Sequence, residues 1–533
     1  MRTKDPWPLI GLASLSLVGL VLVTLGTRWG AAISYDSFQY LTAAENLALG
    51  RGLAWSAPDG LVVPLTHYPP LLSVVVAILI RSGFSSMAAI QTLNIALFGL
   101  NIYWTGVAAR RLTNSAVWGL LAPILFLLSD VMIQAHAEAM SEALYMALSV
   151  PALLLLSDMD GAWKPWKIAT AGLLAAAAWL TRYAGLSLLL AGGTVLLLRP
   201  GRPRRDRMAA AALFVGLAAV PMLIWIGRTY MLSGEVANRS LAWHPAGLEF
   251  LAGMVDLLLT WFAPGRWVHG RSLQLLGAAI ALGLLLWAAG RRWAAERSPA
   301  VHSRESSRWA GLLLVYAISY GTVFVVAKWT FDELIYLDNR LLSPMLQALL
   351  LLTAFALHRL SAVRFKLARP AAVILSLALV GLYAGRTHRV VKWLYEEGAG
   401  YTARGFHESS TIALLQRLDD RPVFTNAVPA VYFWTGRIPY TITPLGTARE
   451  RVTAECGLLV VFHSIPLDLF GVTEPQVSEG MLIEAYSDAE AYYAPICSSQ
   501  LAPWLRSPSE GHTLPHGAAV SSGGARGDWL RLF

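Results

Sequence analysis

The chain has 533 residues, of which 56% are hydrophobic and only 14% charged, with a formal net charge of +9 and a mean hydropathy of +0.52. Soluble domains carry about 25% charged residues, so this composition excludes a water-soluble globule, a disordered chain and a nucleic-acid binder. A polytopic α-helical membrane protein remains.

A membrane span needs roughly 20 mostly apolar residues, and the pattern predicts about eleven of them. They fall near 8–27, 86–109, 113–129, 139–157, 167–181, 184–198, 208–230, 271–290, 309–327, 341–357 and 370–385. The apolar run 70–80 opens with Pro69-Pro70 and is short for a crossing, so it is predicted as a helix at the interface. Basic residues mark alternate connections: Arg2 and Lys4; Arg110 and Arg111; Lys164 and Lys167; Arg199, Arg202, Arg204, Arg205 and Arg207; Arg291, Arg292, Arg297, Arg304 and Arg308; Arg359, Arg364, Lys366 and Arg369. Cytoplasmic loops hold the excess of Lys and Arg, which puts the N-terminus inside and the C-terminus outside. Counting 70–80 as a span would reverse every later loop. A cleaved signal peptide ending near Gly30-Ala31-Ala32 is the alternative for the first run. Against it, the run is long for a signal, and Arg28-Trp29 reads as an interface anchor.

Past about residue 390 the pattern turns soluble. Residues 1–390 therefore read as a membrane domain and 391–533 as a small extracytoplasmic α/β domain with a loose tail from 507. Thr411–Leu418 is predicted helical, and Val423–Thr425 and Leu458–Phe462 as strands. Cys456 and Cys497 both lie in this domain. In an oxidising compartment they suggest a disulfide, with two buried thiols as the alternative.

The first outer loop runs Tyr35-Asp36-Ser37-Phe38-Gln39-Tyr40-Leu41 and on to Gly50. Asp36 followed by Gln39 has the spacing of a capping box, Gly50 that of a helix stop. Phe38, Leu41, Ala44 and Ala48 form a stripe, predicting an amphipathic helix along the membrane surface. Further polar groups gather at the same predicted face: Thr66-His67-Tyr68-Pro69-Pro70, His136, Glu138 and Glu142, Thr181-Arg182-Tyr183, and Asp338-Asn339-Arg340 before Pro344. Ionisable groups at a membrane boundary are costly unless they pair or serve a site. Carboxylates set among cations suggest a pocket for an anionic group with a general base nearby.

In order and topology this set resembles the GT-C membrane glycosyltransferases, over residues 1 to about 385. The branch holding protein O-mannosyltransferases and the lipid A aminoarabinose transferase is the most similar. The carriers are the Asp36 loop, His67-Tyr68-Pro69-Pro70, Met140-Ser141-Glu142, Arg182, and Asn339-Arg340-Leu341-Leu342-Ser343-Pro344. The resemblance implies an inverting hexosyl- or pentosyltransferase that takes sugar from a polyprenyl-phosphate carrier in the bilayer to an extracytoplasmic glycan, lipid or protein. It also implies Asp36 as the catalytic base. The chain departs from the family in lacking a Lys before the Pro-Pro pair, an acidic pair in the first loop and a late β-trefoil insertion.

The acceptor hydroxyl has a high pKa and needs a carboxylate to take its proton. Asp36 is the candidate; a plain helix cap is the alternative. The leaving lipid phosphate gains charge, which guanidinium groups stabilise by bidentate hydrogen bonds. Arg182 and Arg340 are the candidates, against interface snorkelling for the first and an ion pair with Asp338 for the second. His67 and Tyr68 are candidate phosphate contacts, against a simple turn. Glu142, Glu138, His136 and Tyr40 are candidate supporting or sugar-binding groups. A divalent metal held by Asp36, His67 and an acid is a further alternative, but the spacing does not form a closed metal motif, so the metal stays unassigned. Asp158-Met159-Asp160 has the D-x-D form of a nucleotide-sugar metal site but no nucleotide-binding domain around it, and reads as solvated loop charge. A transporter or lipid flippase and a partner-binding scaffold are the competing classes. Compactness without eukaryotic insertions points to a bacterial plasma membrane.

Overall fold

The computed structural model describes residues 7–58, 60–158, 164–239, 241–244, 247–268, 301–331, 335–363 and 365–505. The predicted span 271–290, Asp160 and the tail from 507 lie outside the described residues. The chain divides into two compact units, one of residues 1–28 and 65–395, the other of 29–64 and 396–533. The segment 29–64, assigned by sequence to the membrane part, thus packs within the second unit.

In the first unit, five helices are long and apolar enough to cross a bilayer among the described residues: Leu9–Gly26, Arg204–Ser233, Glu305–Thr330, Asn339–Ser361 and Ala368–Glu396. Counting each of two bent helix pairs as one span gives up to seven. This is a multi-pass integral membrane protein. The predicted spans 139–157 and 184–198 correspond to the shorter apolar helices Glu142–Ser157 and Tyr183–Leu197. Sixteen residues, the length of the first of these, rise about 24 Å, short of a hydrocarbon core of about 30 Å.

The predicted span 113–129 is a bent pair, Trp118–Leu127 and Asp130–Ala137, angled by 53°. Ser129 causes the break: its extended backbone ends one helix, and its hydroxyl accepts from Met132 N at 3.3 Å to cap the next. The run at 70–80 forms the helix Leu71–Arg81, bent by 113° from Ser86–Thr113. Between them Gly83 takes φ +101°, and Ser85 caps Ala88 N at 3.2 Å. Helix Leu248–Thr260 has no counterpart among the predicted elements.

Small residues let the first helix approach the helix Ser86–Thr113. A Cβ on Gly99 would meet Leu20 Cδ2 at 2.9 Å, and Ser16 Oγ donates to Gly99 O at 2.9 Å.

The second unit holds a five-stranded mixed sheet and a hairpin. The hairpin pairs β1 (Ala54–Ser56) with β2 (Val62–Pro64). The sheet uses β3 (Val423–Thr425), β4 (Tyr440–Thr441), β5 (Leu458–Phe462), β6 (Leu482–Ala485) and β7 (Ala489–Tyr493), in the order β4-β3-β5-β7-β6. β3 is parallel to β4 and β5, whereas β7 is antiparallel to its two neighbours. The run Leu-Leu-Val-Val-Phe makes β5 central, because a continuous apolar strand needs cover on both faces. Leu458, Val460 and Phe462 pack with Ile412, Leu415, Val431 and Leu501. Leu459 and Val461 pack on the opposite face with Ala448 and Val452. The helix predicted at 411–418 is Ser410–Arg417. Cys456 and Cys497 form a disulfide, S–S 2.11 Å.

Candidate functional site

In the first unit, five charged side chains gather at helix ends. Glu138 is the C-cap of Asp130–Ala137, and Glu142 opens Glu142–Ser157. Arg182 is the C-cap of Pro165–Thr181, Asp338 the N-cap of Asn339–Ser361, and Arg340 lies in that helix's first turn. Carboxylates at helix N-termini and cations past C-termini complement the helix dipoles, so the local sequence favours Glu142, Asp338 and Arg182 where they stand.

Glu142 is at the centre, with its side chain fully buried. Its Oε1 lies 2.6 Å from Arg182 Nη1 and 3.6 Å from Arg340 Nη1. Arg340 Nε is also 3.3 Å from Glu138 Oε2 and 3.2 Å from Asp338 Oδ2. Arg182 Nη1 further donates to Ser141 Oγ at 3.0 Å. Both alternatives for the arginines are thereby refined. Arg182 is no snorkelling side chain, because its guanidinium is 13% exposed and ion-paired. Arg340 does pair with Asp338, as one of three carboxylate contacts. Two rigid forks of five N–H donors each are held in place by carboxylates. Such a cluster presents oriented donors to an anion without reorganisation.

Beneath it runs a buried hydroxyl ladder that sequence reading missed. Tyr316 donates to Tyr145 Oη at 3.2 Å, Tyr145 meets Ser187 Oγ at 3.2 Å, and Tyr320 donates to Leu341 O at 2.8 Å. The spacing of Tyr316 and Tyr320 on one helix face was its available signal.

His136 is a core brace. Its Nδ1 lies 2.7 Å from Met132 O, which only accepts, so the proton is on Nδ1. Asn101 Nδ2 donates to Ala143 O at 3.0 Å and to His136 Nε2 at 3.0 Å, which fixes a neutral imidazole. Both ring nitrogens are therefore engaged within the protein. His67 is different. Arg239 Nη2 lies 3.0 Å from its Nε2, and Tyr68 packs edge-on at 4.6 Å between ring centroids. A guanidinium can only donate, so His67 accepts there and carries its proton on Nδ1. Arg239, alone in a polar loop, gave no sequence signal.

Asp158 is an exposed loop charge, as expected, and it is ion-paired as well. It pairs with Arg111 Nη2 at 2.7 Å and with Lys167, and Arg111 also reaches Glu305 at 3.1 Å. Among the described residues, no group of three or more His, Cys, Asp or Glu is arranged to hold a metal.

In the second unit, Asp36 sits in the first turn of helix Tyr35–Ala48. It is not the cap. Ser34 is, and the capping box is reciprocal between Ser34 and Ser37: Ser34 Oγ accepts from Ser37 N at 3.2 Å, and Ser37 Oγ from Ser34 N at 3.0 Å. Serine at both ends of the box outcompetes Asp36 because the chain is already extended at Ser34, with ψ −179°. Asp36 is partly exposed, and among the described residues its carboxylate takes no ion pair or side-chain hydrogen bond. Gly50 ends the helix region with φ +78°. The apolar stripe packs on protein: Phe38 is 1% exposed, with its ring centroid 5.2 Å from Tyr432, 5.9 Å from Phe433 and 6.3 Å from Trp55. This corrects the expectation of a helix with its stripe on the membrane surface. Tyr40 is buried in the same helix.

No protein-family model matches the chain, and no curated protein matches it by sequence. By structure it is similar to ArnT from Cupriavidus metallidurans bound to undecaprenyl phosphate. That match has a TM-score of 0.57 and 15% identity, over 92% of this chain and 98% of the other. The fold is GT-C. The apo state of the same ArnT matches with a TM-score of 0.57 and 15% identity, over 90% and 96% of the two chains. The oligosaccharyltransferase AglB from Archaeoglobus fulgidus, in complex with an inhibitory peptide and a dolichol-phosphate, has a TM-score of 0.49 and 12% identity, over 92% and 74%.

Proposed function

We propose that this protein is an inverting glycosyltransferase that moves a sugar from a polyprenyl-phosphate carrier to a hydroxyl outside the cytoplasm. The observation that carries this reading is the end-to-end structural match to a protein crystallised with undecaprenyl phosphate. Asp36 takes the acceptor's proton as the oxygen bonds to the anomeric carbon. The sugar–phosphate bond breaks with its electron pair going to the phosphate. Arg182 and Arg340 stabilise that developing charge, oriented by Glu142 and Glu138. His67 donates through Nδ1–H, supported by Tyr68 and Arg239. In this reading the chain crosses a bacterial plasma membrane about eleven times with its N-terminus inside. Residues 391–533 then lie outside the cytoplasm.

The test uses nanodiscs holding the full chain, undecaprenyl-phosphate-linked glucose, mannose and aminoarabinose, and an envelope lipid extract as acceptor. Release of undecaprenyl phosphate by wild type, lost in Asp36→Asn, is the expected result. Equal release by both would remove Asp36 as base. No release from any donor, by folded protein, would turn the reading toward transport.

A further inference from the structure

The helix Tyr35–Ala48 has 14 residues, and isolated helices below about 12–15 residues are marginal in water. Something must hold it, and three sets of contacts within the second unit do so. Before the helix, Ile33 forms a parallel bridge with Gly400, Tyr401 N donates to Ile33 O at 2.8 Å, and Thr402 Oγ1 donates to Ala31 O at 2.7 Å. A Cβ on Gly400, at φ +63°, would collide with Ile33 backbone. Midway, Phe38 fills the aromatic nest of Tyr432, Phe433 and Trp55. Near the end, Tyr432 Oη donates to Glu45 Oε2 at 2.7 Å, and Asn46 Nδ2 donates to Ala54 O at 2.9 Å. Burial first, and then the Glu45 carboxylate, hold the Tyr432 phenol above its ordinary pKa, so it stays a donor.

The gripped face is the important detail. At 3.6 residues per turn, Phe38 and Glu45 are about 20° apart, while Asp36 lies about 180° from Glu45. The two anchors Phe38 and Glu45 therefore lie on the side of the helix opposite Asp36.

We infer that the C-terminal α/β domain is the mount for the Asp36 helix, with Glu45 and Tyr432 as positioning residues for the base. This rests on Asp36 being the base. A misplacement of about 1 Å costs on the order of 100-fold in rate, so the mount controls turnover without touching substrate.

The experiment takes the full chain in nanodiscs with the same three undecaprenyl-phosphate sugars. It compares wild type, Asp36→Asn, Tyr432→Phe, Glu45→Leu and Glu45→Gln. Kinetics are paired with amide hydrogen exchange over 35–48 and over strands β3 and β5. Tyr432→Phe and Glu45→Leu should lower kcat about 10- to 100-fold with donor KM held within about twofold. Exchange should rise over 35–48 only. Glu45→Gln keeps an oxygen that accepts from Tyr432 and should retain most of the turnover. Wild-type kcat in Glu45→Leu, beside an inactive Asp36→Asn, would overturn the mount. So would equal losses in Glu45→Gln and Glu45→Leu. Full turnover by Asp36→Asn would instead remove Asp36 as the base on which the mount rests.

Discussion

The helix-end charge cluster and the Asp36 loop treat their ionisable groups in opposite ways. In the cluster, Glu142 is fully buried and serves two arginines, and Arg340 meets three carboxylates. Each charge faces an opposite charge within the protein. Asp36 is partly exposed, and the fold does not draw on it even as a cap, since Ser34 and Ser37 fill that role. A partly exposed first-turn carboxylate adds only a modest helix-dipole contribution to stability.

That contrast can be broken by mutation. Asp36→Asn should lower turnover by about 10²–10⁴-fold, the usual range for a general base, with no change in the unfolding midpoint. A shifted midpoint would make Asp36 structural after all. Glu142→Leu should do the reverse and destabilise the membrane unit by about 3–5 kcal/mol, because it removes the buried carboxylate that pairs with Arg182. Thermal unfolding in detergent reads this, and an unshifted midpoint would mean the arginines are solvated. Replacing Cys456 and Cys497 by Ser should cost the second unit about 2–4 kcal/mol through a looser unfolded state. Denaturant melts of β-sheet signal, with and without reductant, check it. Ser34→Ala should be smallest, about 1 kcal/mol, read as faster exchange at the start of helix Tyr35–Ala48.

Composition and loop charge made the membrane class legible, and the order of Asp36, His67, Glu142, Arg182 and Arg340 made the GT-C fold legible. The strands at Val423–Thr425 and Leu458–Phe462 were readable because short β-rich runs between turn residues have few other outcomes. What failed was local competition between near-equivalent signals. Ser34 and Asp36 both suit a cap, and only the backbone at Ser34 decides. The break at Ser129 sits in a run whose hydropathy is continuous, and hydropathy carries no information about direction. Arg239 and Tyr432 were invisible for another reason. Their partners, His67 and Glu45, lie 172 and 387 residues away, and no periodicity reaches that far.

The same separation sets a schedule. Glu45 leaves the ribosome long before Tyr432, and at about 5–20 residues per second the wait is roughly 20 to 80 s. During that interval the intervening membrane helices are made while the first loop has nothing to dock on. On the proposed reading, a chain that stops before Tyr432 lacks the mount for Asp36. Seating of the helix Tyr35–Ala48 is therefore a late event, completed only after Tyr432 has emerged.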